Sequence, residues 1–337
     1  MKVTTVGLDL AKSVFTVQGV DEHGNTVLRK TVRRAKLLEL FVQLPACVVG
    51  MEACSGAQHW ARELRKLGHD PRIMAAEFVE PYRRGGKNDA NDAAAICEAV
   101  SRPQMRFVAL KSVDQQAVLA VHRLRQGLVE ERTALANRLR GLLTEYGVIV
   151  GVGLGRLRCA LPEILEDGAN GIPGIAREVF ADAEQQLREL EARIAAYDRR
   201  IAALARASEP VQRLMKIGGV GPVTATALVA SVGDARVFNN GRQFAAWLGL
   251  TPRQHSTGGK QRLGHITGSG DPYLRTLLVM GARSVLQRAS GQSDPLSRWA
   301  LALRARRGYH RACVAIAAKH ARIIWAMLAK NESLRLA

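Results

Sequence analysis

The chain has 337 residues, enough for two or three domains, and 47% of them are hydrophobic, so real cores can form. Five scattered cysteines (Cys47, Cys54, Cys97, Cys159 and Cys313) with no C-x-x-C pair exclude a disulfide framework and a zinc ribbon and suit a reducing cytoplasm. A formal net charge of +19, read together with the lack of a secretory leader or of an apolar stretch long enough to span a bilayer, points to a polyanionic partner, most simply nucleic acid.

Residues 1–108 alternate strand-like and helix-like patterns. Strands are expected at 3–9, 13–20, 26–32, 46–52 and 71–75, and helices at 34–43, 56–67 and 88–100. Asp21-Glu-His-Gly-Asn25 and the turn at Lys12 separate the first three strands as in a meander. The order, three strands, helix, strand, helix, short strand, helix, is that of an RNase H-like (RuvC-like) α/β domain. Within it Asp9 closes the first apolar run and Glu52 closes the fourth. Asp89 and Asp92 stand three apart, so a helix places them on one face. Singly, such residues are caps or solvated side chains; in this order they match the metal ligands of an RNase H-like nuclease. Oxygen donors with no Cys or His nearby select Mg²⁺ or Mn²⁺ over zinc. His59 and Trp60 read as packing residues.

Residues 109–207 change period. Val121, Leu124, Leu128, Leu135, Leu139, Leu142 and Tyr146 keep a three-and-four spacing, repeated by Ala183, Leu187, Leu190, Ile194, Tyr197, Ile201 and Leu204. Such heptads predict a coiled-coil stalk or helical hairpin. Gly151-Val-Gly-Leu-Gly155 between them lacks the Gly-Lys-Ser/Thr ending of a P-loop and reads as a flexible connection.

Residues 208–337 read as helical and basic. Ile217-Gly-Gly-Val-Gly-Pro-Val-Thr-Ala-Thr226 fits a helix-hairpin-helix turn, in which Gly219, Gly221 and Thr224 would bring backbone N–H groups to a phosphate. Pro252-Arg-Gln-His-Ser-Thr-Gly-Gly-Lys260 and Arg262-Leu-Gly-His-Ile-Thr-Gly-Ser-Gly-Asp271 form a polar, cationic stretch that reads as an active-site loop. Its plainer alternative is a phosphate-binding loop without chemistry.

Taken in order, Gly7-Leu-Asp-Leu-Ala-Lys12, Met51-Glu-Ala53, Lys87-Asn-Asp-Ala-Asn-Asp92, the glycine turn of 217–225 and the loop of 252–260 resemble the DEDD-type transposases of bacterial insertion sequences, understood as bridge-RNA-guided recombinases. The resemblance covers essentially the whole chain. It implies a RuvC-like N-terminal domain, a coiled-coil middle and a C-terminal transposase domain. It further implies that Asp9, Glu52, Asp89 and Asp92 hold the metal ions and that Ser256 is the nucleophile. Relatives often carry two adjacent serines where this chain has Ser256-Thr257, which weakens the case for position 257, and Ser269 is the lesser candidate. Arg253, Lys260 and Arg262 would add positive charge at the phosphate and His255 would orient the site. The partners implied are donor and target double-stranded DNA, a structured guide RNA, and further copies of the chain in a dimer or tetramer whose serine acts in trans. Two other readings compete. One is a resolvase-like nuclease using water as nucleophile, for which the loop of 252–260 has no use. The other is a non-catalytic nucleic-acid-binding protein, which has no need of the carboxylate set.

Overall fold

Six short runs of alternating or continuously apolar residues build one sheet in the first part of the chain. In the computed structural model, which describes residues 2–86 and 88–333, these are β1 (Thr5–Leu10), β2 (Val14–Val20), β3 (Thr26–Arg33), β4 (Val48–Glu52), β5 (Asp70–Met74) and β6 (Phe107–Val108). Between them run α1 (Leu37–Val42), α2 (Ala57–Lys66), the short α3 (Ala76–Val79) and α4 (Asp89–Val100). The strand order is β3-β2-β1-β4-β5-β6. β1, β2 and β3 form the antiparallel meander, whereas β4 and β5 join parallel to β1. The expected helix at 34–43 starts as a 3₁₀ turn before α1. The two-residue β6, antiparallel to β5, is too short to leave a period in the sequence.

Period-two alternation divides the sheet's faces. Val6, Leu8, Phe15, Val17, Val49 and Met51 point to one side and pack with the i, i+3, i+4, i+7 stripe Ala57, Trp60, Ala61 and Leu64 of α2. Trp60 is a core residue, as expected; His59 is exposed and meets the Trp60 ring edge-on. The opposite face carries Gly7 and Gly50, on which α4 lies. β3, the edge strand, carries exposed Arg29, Lys30 and Arg33, charges that discourage edge-to-edge pairing.

The chain divides into two compact units, Met1–Ser112 and Val113–Ala337. The second contains α5 (Val113–Glu145), α6 (Leu154–Glu166), α7 (Gly174–Arg206), α8 (Glu209–Leu214), α9 (Pro222–Val232), α10 (Gly241–Trp247), β7 (Pro252–Gln254), β8 (Leu263–Ile266), α11 (Pro272–Arg288), α12 (Pro295–Arg307) and α13 (Tyr309–Lys330). α5 and α7 pair within the chain through Leu128, Leu135, Leu139, Leu187, Leu190 and Ile194. The heptad reading drifts elsewhere. Leu124, Leu142 and Tyr146 are 59%, 42% and 39% exposed, and Leu143 takes the buried place expected of Leu142. A helix of 3.6 residues per turn outruns a strict 3.5 repeat, so the inward step after Leu139 is four, not three. The glycine-rich stretch after α5 is not a loose connection either. It leads at Leu154 into α6, whose Leu157 and Leu161 are fully buried against the helix pair.

α8 to α13 enclose a second core around Leu214, Leu228, Phe244, Leu278, Ile316 and Ile324. Among the described residues, by length and composition, one helix, the 22-residue α13 with a mean hydropathy of 1.4 over its best window, could cross a bilayer, contrary to the sequence reading. Its buried stripe, Ala312, Ile316, Ala317, Ala321, Ile324 and Met327, belongs to that core, which explains the apolar composition.

Candidate active site

The parallel register that sets Leu8 opposite Met51 brings Asp9 and Glu52 to the same end and the same face of β1 and β4. Gly7 and Gly50 precede them on that face. A Cβ on Gly7 would run into the Ala93 carbonyl oxygen and sit 2.5 Å from the Cys97 nitrogen, and one on Gly50 would lie 2.7 Å from Val100 Cβ. Without side chains there, α4 rests directly on the strands, and its first turn, one turn before Ala93, carries Asp89 and Asp92. Asn88 starts the helix by accepting from the Asn91 N–H at 2.9 Å.

The electrostatics report the convergence. The Asp9 carboxyl is pushed up to about 6, first by burial, then by the negative charges of Asp89, Asp92 and Glu52. Four hard oxygen donors in mutual repulsion are the donor chemistry that suits a divalent cation of the Mg²⁺ type. Among the described residues no group of three acidic, His or Cys side chains already stands in ligating geometry. Asp92 is instead engaged by Arg83, Nη1 to Oδ1 3.4 Å, with Glu80 3.8 Å from the same guanidinium. Arg83 was not singled out from the sequence; its signal is the Arg83-Arg-Gly-Gly stretch ahead of the acidic motif. Lys87 of that motif lies outside the described residues. One expectation needs correcting: a cysteine is nearby. Cys54, two residues past Glu52, has its thiol pKa raised first by desolvation and then by the charges of Asp9 and Glu52.

In the second unit Ser256 sits on a two-stranded hairpin, not on an irregular loop. β7 and β8 pair antiparallel, and beyond them Thr257 pairs with Lys260 across Gly258 and Gly259. Those glycines have φ of 55° and 76°, the left-handed pair that a tight two-residue hairpin turn requires. The turn forces Ser256 out beside the tip. Its Oγ accepts from Gln254 Nε2 at 2.9 Å and from the Arg262 N–H at 3.2 Å. Both donors favour the oxygen's anionic form, and the serine's own proton remains to be given up. Gln254, which sequence reasoning passed over, is therefore the side chain that best poises Ser256.

The other predicted residues divide by role. Arg253 braces the hairpin by donating to the Thr267 carbonyl at 3.1 Å, while Lys260 and His255 are exposed at the tip. Arg262 supports Ser256 through its main chain, and its carbonyl accepts from the His255 N–H at 2.9 Å. Ser269 belongs to the hairpin's foot, where its carbonyl accepts from Arg275 Nη1 at 2.8 Å. In the glycine turn, Gly219 has φ +83°, and a Cβ there would lie 2.5 Å from the Gly281 carbonyl oxygen of α11, so its lack of a side chain serves packing. Gly221 is the N-cap of α9, and no side chain caps that helix end. Thr224 is 7% exposed; its hydroxyl is buried, so only its first-turn N–H could face a phosphate.

Comparison with known proteins fits this arrangement. Residues 211–297 match the model of the Transposase IS116/IS110/IS902 family, and residues 6–148 match the DEDD model of IS110 transposases. A probable family 20 transposase of Pseudomonas aeruginosa is 50% identical over 336 residues, 99% of either chain. The chain belongs to the IS110/IS116 family of insertion-sequence transposases. The transposase is also 43% identical over 333 residues, 99% of its own length and 92% of the relative's, to the transposase for insertion sequence element IS1111A of Coxiella burnetii. With the transposase for element IS1328 of Yersinia enterocolitica it shares 38% over 325 residues, 96% of both. Residues 6–148 contain all four carboxylates, and residues 211–297 contain the glycine turn and the Ser256 hairpin.

Proposed function

We propose that this transposase cleaves and rejoins DNA through a covalent link between Ser256 and a DNA phosphate, assisted by Mg²⁺ or Mn²⁺ at Asp9, Glu52, Asp89 and Asp92. The observation that carries the reading is the state of Ser256: an exposed Oγ with two hydrogen-bond donors aimed at it, on a hairpin whose double-glycine turn holds it outward. In the step we assign to it, Oγ attacks phosphorus and gives its proton to solvent. The phosphorus–oxygen bond to the leaving sugar breaks, and that oxygen takes up a proton. The number of phosphoester bonds is unchanged, so the reverse attack by another strand's hydroxyl rejoins DNA with no outside energy source. Bound at the carboxylates, the metal would polarise the scissile phosphate and stabilise charge on its oxygens.

Several features of the chain support the wider reading. The strand order of the first unit and its carboxylate ends suit an RNase H-like domain, and we divide the chain functionally into 1–108, a helical 109–207 and a serine-bearing 208–337. Between positions 272 and 331 there are eleven Lys and Arg against one acid, Asp294, so ten of the nineteen net positive charges fall in this stretch. Such a surface binds phosphodiester backbones of DNA and of a structured guide RNA regardless of sequence, leaving base pairing by that RNA to choose the site. The serine would act in trans in a dimer or tetramer.

The test is a nicked DNA substrate incubated with protein, nuclease trimming and mass spectrometry. A phosphonucleotide on Ser256, absent from Ser256→Ala, supports the reading. An adduct elsewhere, or full strand cleavage by Ser256→Ala, gives the case to a hydrolytic, resolvase-like enzyme.

A further inference from the structure

His122 lies on α5, 1% exposed, far along the chain from either predicted nucleic-acid element, and no part of the proposed chemistry uses it. Its two ring nitrogens reach two different helices: Nδ1 is 3.0 Å from the Tyr273 hydroxyl on α11, and Nε2 is 2.9 Å from Thr226 Oγ1 on α9. The proton count fixes the direction of each bond. Thr226 has one hydroxyl proton and gives it to the Pro222 carbonyl at 2.6 Å, so it must accept from His122 Nε2–H. Nδ1 then carries no proton and accepts from the Tyr273 O–H. Burial, then Arg125 and Arg123, bring its pKa down to about 4, so the imidazole is uncharged at physiological pH and can donate from one nitrogen while accepting at the other.

Each end of this chain of bonds is a functional element's anchor. Pro222 is the first residue of α9, directly after the glycine turn. Tyr273 is in the first turn of α11, next to Asp271, which caps that helix and pairs with Arg123 of α5 at 3.1 Å. The same helix end holds the hairpin's foot. Arg275 donates to the Leu248 and Ser269 carbonyls, and Gly249 and Gly270 let the two feet close on each other so tightly that a Cβ at either would meet backbone.

We propose that His122 is a positioning residue that sets the glycine turn and the Ser256 hairpin at a fixed spacing, so that a DNA backbone held at one presents its phosphate to the other. The inference rests on the reading of Ser256 as nucleophile. One imidazole, with a donor nitrogen on one side and an acceptor nitrogen on the other, ties both helix ends, and a phenyl ring of similar volume could tie neither.

The test compares wild type with His122→Phe and with His122→Phe/Tyr273→Phe, the second change removing the hydroxyl that the first leaves unpartnered in the core. Melting temperature, affinity for a fluorescein-labelled 30-base-pair duplex, and the rate of serine–DNA adduct formation at saturating nicked duplex are measured. We expect the double variant to recover most of the melting temperature and to bind the duplex as wild type does, yet to form adduct at least about tenfold more slowly, because small misplacement of reacting groups is costly. Tyr273→Phe alone should slow adduct formation in the same direction, by less. A double variant with the wild-type adduct rate would reduce His122 to a packing residue, as would a loss confined to affinity. Ser256→Ala separates the two claims. If it forms no adduct while the double variant reacts normally, only the His122 inference falls; if it forms adduct normally, the serine reading falls and this inference with it.

Discussion

Asp9 is the residue at which the function proposed for the first unit works against that unit's own stability. An ordinary aspartate ionises near 3.8, and in the folded protein Asp9 does so at about 6, through burial and the charges of Asp89, Asp92 and Glu52. A raised carboxyl pKa means the folded state holds a proton that the unfolded chain releases, so stability falls as pH rises from about 4 through 6 and is lowest above it. At about 1.36 kcal/mol per pKa unit the cost has an upper limit of about 3 kcal/mol, and solvent screening of this half-buried group reduces it to about 1–2 kcal/mol. Asp9→Asn removes the charge and keeps the shape. At pH 7.5 in EDTA it should therefore raise the melting temperature of the first unit by several degrees, while abolishing strand cleavage. At pH 4 the two proteins should melt together, because the wild-type carboxyl is then protonated. Added Mg²⁺ should stabilise the wild type and leave the variant nearly unmoved, since a bound cation cancels the repulsion the variant lacks. Thermal melts by circular dichroism at both pH values, with and without metal, check all three outcomes. A variant less stable than wild type at pH 7.5, or a gain that persists at pH 4, would refute the shared-field account of these four carboxylates.

Other expectations are as specific. Gly281→Ala would drive its methyl into the Gly219 carbonyl, a clash between two backbones that no rotamer relieves, and should cost about 1–3 kcal/mol in urea unfolding of the second unit. Replacing Gln254 with Ala removes the 2.9 Å donor to Ser256 Oγ and should slow adduct formation about tenfold, with duplex affinity unchanged in anisotropy titrations. The triple change of Arg304, Arg306 and Arg307 to Gln, all exposed in the last turn of α12, should weaken duplex binding and flatten the plot of log K against log salt by about 0.9 for each phosphate no longer neutralised. An unchanged slope would move the electrostatic attachment elsewhere on the basic surface.

Legibility in the sequence tracked how local each feature is. β2 announces itself by a burial period of two, β1 and β4 by short apolar runs that end in Asp9 and Glu52, and α2 because Ala57, Trp60, Ala61 and Leu64 repeat at helical spacing. Asp9 and Glu52 could be placed together because a parallel pair in register puts strand ends side by side. Arg83 could not, since its role depends on a loop bringing it 3.4 Å from Asp92. The hairpin around Ser256 was missed for a different reason. Its strands, Pro252–Gln254 and Leu263–Ile266, are short and largely exposed, so they carry no hydrophobic alternation. Gly258-Gly259 was the available signal, a doubled glycine flanked by pairing residues, and it reads equally well as a loop. His122 left no trace, because a lone histidine on a long amphipathic helix looks like a surface residue until its two partners, Thr226 and Tyr273, fold onto it.

The two kinds of chemistry proposed for this chain also differ in what they ask of the backbone. Carboxylates that hold a cation must tolerate one another's charge until the cation arrives, which favours a stiff support. The first unit supplies one by seating α4 on side-chain-free Gly7 and Gly50. A nucleophilic serine must instead be reachable by a phosphate on a thick, charged duplex, which favours projection from the surface. The hairpin supplies that, and its feet are locked by Arg275 and by the close approach of Gly249 and Gly270 to neighbouring backbone. Rigidity at the foot with exposure at the tip limits the freedom that attack must remove, since the tip needs only its side-chain proton to leave before Oγ can bond to phosphorus. A hydrolase that activates water at its carboxylates would gain nothing from such a mount. The hairpin's construction therefore argues for strand exchange over simple cutting.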